Sequence, residues 1–99
     1  MCYNKEERKS RIKYLEDECI AIYIYGEATE KHHGKHLLIL KADEGCQYGF
    51  DGRPIKGSKA LKNRNDRKVL RRWILSHQDD LEEAWDDINN GRKPKFITD

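Results

Sequence analysis

The apolar spacing of the last third constrains this chain most. Leu70, Trp73, Ile74, His77, Leu81, Ala84, Trp85 and Ile88 recur at steps of three and four, the period of one helical face. A stripe that wide needs a layer to pack against. Cys19 to Tyr25 predicts part of one, because Ile20, Ile22 and Ile24 alternate with Ala21, Tyr23 and Tyr25 at the period of a strand. His36 to Lys41 predicts a second strand, with Leu38 and Leu40 on one face and Leu37 and Ile39 on the other, so that it sits centrally. Gly45 to Phe50 predicts a third, closed by the turn Asp51-Gly52-Arg53-Pro54.

Between Lys5 and Asp17 the residues are good helix formers, with Ile12, Tyr14 and Leu15 as their apolar side, which predicts a short, exposed N-terminal helix. Ser76, three residues before Asp79, resembles an N-cap with an acidic partner and predicts a break in the C-terminal helix near His77. Gly91 in the C′ position and Pro94 end the second helix, and Lys95-Phe96-Ile97 can return against sheet or helix. The expected fold class is α+β: a small antiparallel three-stranded meander covered on one face by C-terminal helices, with a short N-terminal helix.

A chain of 99 residues fits one domain spanning 1–99, and two Trp, five Tyr and two Phe supply apolar area despite 38% charged residues. Cys2, Cys19 and Cys46 are odd in number and form no C-x-x-C, which argues against a disulfide framework and fits a reducing cytoplasm. The longest apolar run, Ile20 to Tyr25, is too short to cross a bilayer, so no membrane partner is expected. No residue set matches a well-characterised catalytic motif, and no cofactor is expected.

Charge is divided along the chain. From Arg53 to Arg72 nine basic residues meet one acid, Asp66, whereas Asp79 to Asp87 holds six acids and no base. Lys56, Lys59, Lys62, Arg64, Arg67 and Lys68 are candidates for holding phosphates of RNA or another polyanion, since each neutralised phosphate releases counterions. Arg71 and Arg72 at the end of one helix, and Asp79 and Asp80 at the start of the next, also suit the helix dipoles without any ligand. Asp79, Asp80, Glu82 and Glu83 form a candidate acidic face for a protein partner.

His32, His33 and His36 cluster before the second strand. Metal binding would need further donors such as Cys46 or Asp43, and no paired Cys or His motif is present, so no metal is expected. Acid-base chemistry fits imidazole better: His36, with His33 and Tyr23, and cations on the phosphate would suffice for a metal-independent ribonuclease. The competing reading makes His32 and His33 turn residues and His36 a strand-end side chain. Trp73 and Trp85, on one helical face, are expected in the core, and His77 as a half-buried structural histidine.

The run Val69, Trp73-Ile74, His77, Leu81 and Trp85, followed by Gly91, Pro94 and Ile97, resembles the C-terminal signature of a family of small prokaryotic proteins known as domain of unknown function 4160. Ile22 to Tyr25, the loop ending at His36-Leu37 and the Gly52 to Gly57 turn follow the same order, so the likeness covers roughly residues 18 to 97. It implies a small α+β domain, often encoded in two-gene cassettes that look like toxin-antitoxin modules. The family carries a Pro-Pro-His-x-His element before the second strand; here His36 matches the second histidine and Gly34 falls at the first.

The leading expectation is therefore a cytoplasmic, toxin-antitoxin-like protein that binds RNA through the basic segment, with His36 and His33 at any cleavage chemistry. The alternative is a non-enzymatic interaction protein, such as a small phage or mobile-element inhibitor, docking on a cognate protein through its charged faces. A DNA-binding module using residues 63–72 is a third option, without convincing helix-turn-helix spacing.

Overall fold

The computed structural model describes residues 9–25 and 35–98. It shows four strands, β1 (Lys9–Leu15), β2 (Ile20–Tyr25), β3 (His36–Lys41) and β4 (Glu44–Gly49), followed by two helices, α1 (Arg64–Ser76) and α2 (Gln78–Asn89). The strands form one sheet in the order β1-β2-β3-β4, each pair antiparallel.

The α+β class holds, with two corrections. The sheet has four strands rather than three, and residues 9–15 of the expected N-terminal helix are strand β1. The cause is a β-bulge: the register runs Arg11↔Tyr23 and then Lys13↔Ile22, so Ile12 is the extra residue. Ile12 is fully buried and Leu15 packs against the same core. The bulge thus places core-facing residues three apart on a strand, a spacing that reads as one helical face. Residues 5–8 of the expected helix lie outside the described residues.

Ile20, Ile22, Ile24, Leu37, Ile39, Cys46 and Tyr48 form the inner face and share a core with Leu70, Trp73, Ile74, Leu81, Ala84 and Ile88 of the helices. Trp85 packs at its margin. A buried isoleucine or leucine contributes about 1.5–3 kcal/mol relative to exposure, so this face accounts for the layer arrangement.

The break at His77 is where the sequence places it, but its chemistry differs. His77 caps α2 without a side-chain hydrogen bond to it. Ser76 instead donates from Oγ back to the Trp73 carbonyl at 3.1 Å. The His77 ring stacks on Trp73 with centroids 4.4 Å apart, and its Nδ1 lies 2.8 Å from the same carbonyl. Gly91, at φ +78, closes α2 through the left-handed region as expected. The tail then returns to the sheet, where the Ile97 amide donates to the Ile12 carbonyl at 2.7 Å.

Candidate nucleic-acid interface

The segment after β4 is fastened to that strand along its length. The Gly49 amide donates to the Arg53 carbonyl at 2.8 Å, the Ile55 amide to the Gln47 carbonyl at 2.9 Å, and the Gln47 amide to Ser58 Oγ at 2.9 Å. The Leu61 amide donates to the Tyr48 hydroxyl at 3.2 Å, and the Lys62 amide to Glu44 Oε1 at 3.0 Å. Burial holds the Tyr48 phenol above its ordinary pKa, so it stays neutral in that role. Turn residue Gly52 is buried at φ +80 against α1; a Cβ there would stand 2.7 Å from Arg71 Cγ, so only glycine fits without displacement.

Between this segment and the outer face of the sheet lies a groove of about 670 Å³. Leu38, Ile55 and Ala60 supply apolar walls, Gln47 an amide, and Lys56, Lys59 and Lys62 the cations, with Asp43 and Glu44 at one end. Leu38 and Gln47 stand opposite each other in the β3–β4 register, and Leu38 stands opposite Tyr23, which stands opposite Arg11. One cross-strand row therefore runs Arg11, Tyr23, Leu38, Gln47 on the face away from the helices.

Arg64, Arg67 and Lys68 are on α1, in the turns that precede Leu70. The Asn63 side chain caps the helix by accepting from the Asp66 amide at 3.0 Å. Asp66, 4% exposed, turns inward and pairs with Lys41 of β3. That hydrogen bond raises the Lys41 pKa above its ordinary value. Arg67 is partly committed to the fold, since its Nη1 donates to the Leu61 and Lys62 carbonyls at 2.7 and 2.9 Å.

The remaining cations face outward. Lys68, Arg71 and Arg72 line a shallow depression of about 480 Å³ with Ser76 and Leu75, the last 48% exposed. Among the described residues no ion pair engages Lys56, Lys59, Lys62, Arg64, Lys68, Arg71 or Arg72. The dipole reading of Arg71 and Arg72 is corrected: the last turn of α1 holds no basic residue, and Arg64 opens the helix, where the dipole disfavours a cation.

The acids of α2 are in a different position. Asp79 and Asp80 do lie in its first turn, where carboxylates suit the dipole. Glu82 pairs with Lys35, Glu83 with Lys95 at 3.6 Å, and Asp86 and Asp87 with Arg92 at 3.3 and 3.0 Å.

His36 begins β3 and is buried, 6% exposed. It shares the outer face with Tyr23, which is paired with Leu38 two residues along, but neither lines the groove. His33 and His32 lie outside the described residues. Among the described residues no three His, Cys, Asp or Glu side chains are grouped to hold a metal ion. Nor, among them, is any helix long and apolar enough to cross a membrane. Sequence reasoning missed Gln47, Ser58 and Leu38. The signal for Gln47 was its place between Gly45 and Gly49, which makes it the one side chain β4 puts on the outer face between those positions.

A family model described as Domain of unknown function (DUF4160) matches residues 19–86. The chain belongs to the DUF4160 family. The DUF4160 match takes in β2 to β4, the lysine-bearing segment, α1 and most of α2, so the groove and the cations of α1 lie inside it, while β1 precedes it. No curated protein and no solved structure matches the chain.

Proposed function

We propose that this chain is an RNA-binding protein of the toxin-antitoxin-like kind, working in the cytoplasm, which holds single-stranded RNA through Lys56, Lys59 and Lys62 and the exposed cations of α1. One observation carries the reading: seven cations between residues 56 and 72 make no ion pair among the described residues, whereas most acids of α2 do. Like charges that no acid pairs with repel their neighbours, within the groove and along α1, a cost that phosphates remove. The half-buried Tyr23 and Leu38 on the outer face favour a single strand, whose unstacked bases meet such surfaces, over a duplex.

The test is fluorescence anisotropy with labelled RNA oligomers. Each phosphate contact on a single strand contributes a salt slope of ~0.7, so three groove contacts alone predict a loss of about 20-fold between 50 and 200 mM salt. Substituting Lys56, Lys59 and Lys62 together by Ala removes that part of the slope. No binding at 50 mM salt removes the proposal. RNA shortened by the wild type and left intact by His36→Ala would extend it to metal-independent cleavage, and intact RNA in both confines it to binding.

A further inference from the structure

We propose that the groove beside β4 is a subsite for one ribonucleotide unit, with adenine favoured by Gln47; within RNA, this rests on the RNA-binding reading above. Gln47 is half-buried, yet its side-chain amide makes no hydrogen bond among the described residues. A carboxamide presents a donor and an acceptor side by side, the pattern that matches N6 and N7 of adenine. Gly45 leaves the outer face of β4 bare on one side of it, while at Gly49 on the other side Asp51 Oδ1 stands 3.0 Å from where a Cβ would be. Packing does not force that bareness at residue 45, where a Cβ would meet only Leu40 Cδ2 at an ordinary 3.5 Å. A planar base can therefore lie against the strand, with Leu38, Ile55 and Ala60 as its apolar contacts.

The other parts of a nucleotide find matching chemistry around the same groove. Lys56, Lys59 and Lys62 suit the phosphate, and the Asp43 carboxylate can accept from a ribose hydroxyl. Glu44 is engaged by the Lys62 amide, which leaves Asp43 as the acid available for this. Gly57, at φ +90 with nothing within 4 Å of where a Cβ would be, leaves the backbone between Lys56 and Ser58 uncovered. A groove of about 670 Å³ is within the size range of small-molecule sites.

Two measurements test this. In a nitrogen–proton correlation titration of the wild type, adenosine 5′-monophosphate should move the Gln47 side-chain amide together with Gly45 and Gly57, and uridine 5′-monophosphate should move the Gln47 amide less. Inorganic phosphate should move only residues 56–62. In anisotropy, Gln47→Ala should weaken binding of an adenine octanucleotide by roughly tenfold and leave a uridine octanucleotide unchanged. Equal effects on both oligomers, or a Gln47 amide that stays still with adenosine 5′-monophosphate, would overturn the subsite while RNA binding by the wild type stands. Groove shifts with the mononucleotide and no RNA binding would keep the subsite for a free nucleotide and remove the RNA reading.

Discussion

The two C-terminal helices bury neighbouring faces in one core and present opposite charges, but they dispose of those charges differently. Along α2 the acids meet Lys35, Lys95 and Arg92 or sit in the first turn, so its charge is largely answered within the molecule. Along α1 the single acid, Asp66, is turned inward to Lys41, and Arg64, Lys68, Arg71 and Arg72 face solvent without a partner among the described residues. A chain of formal net charge +2 thus has a one-sided electrostatic surface. Net charge alone conceals this, because pairing, more than counting, decides which charges are left for a ligand.

The largest effect expected from this contrast is on binding. Reversing Lys68, Arg71 and Arg72 to Glu should weaken RNA binding by roughly 100-fold or more, since three favourable phosphate contacts become repulsive. Reversing Asp79, Asp80, Glu82 and Glu83 to Lys should leave it equal or tighter. If the acidic-side variant loses RNA and the basic-side variant keeps it, the contrast between the helices is wrong, and α2 becomes the docking surface.

A second effect separates the seating of α1 from its charge. Gly52→Val drives a side chain into Arg71 at a backbone conformation that valine disfavours, so urea unfolding should show a loss of about 2–3 kcal/mol. Arg71→Ala in the Gly52→Val background should recover part of that loss without restoring RNA affinity. Full recovery of affinity would show that Arg71 acts on RNA only through packing.

The smallest effect tests the one charge of α1 that is answered internally. The hydrogen bond to Asp66 raises the Lys41 pKa above 10.5, and burial raises that of Tyr48 above 10.0. In both cases the folded state holds its proton more tightly than the unfolded chain. The stability they supply is therefore complete below the unfolded pKa values and lost as pH rises through the folded ones. The urea midpoint should fall as pH rises past 10.0 and 10.5, and Lys41→Met should make that fall shallower. An unchanged slope would show that the Lys41–Asp66 pair does not contribute to the pH dependence.

The parts of this fold legible in the sequence are those whose inward residues are apolar and regularly spaced. β2 and β3 satisfy that description, as does the helical stretch from Leu70 onward. β1 does not, because its bulge spaces Ile12 and Leu15 like a helix while Lys9, Ser10, Arg11, Lys13 and Tyr14 fill the rest. The first turns of α1 were hidden for a related reason: the residue they turn inward is Asp66, a carboxylate with its partner on a distant strand. At the candidate interface the lysines were legible as a run of like charge. Leu38 and Gln47 were not, since only the strand register carries them to the same groove.

The segment from Arg53 to Ser58 reaches β4 through the backbone of Gly49 and Gln47 and the hydroxyl of Ser58. Fixing a loop in this way settles its conformational entropy when the chain folds, before any ligand arrives. Lys56 and Lys59 thus extend from an ordered backbone, and only their side-chain rotamers remain to be restricted. The groove should then discriminate by shape as well as by charge, and partners of equal charge and different form would be held unequally.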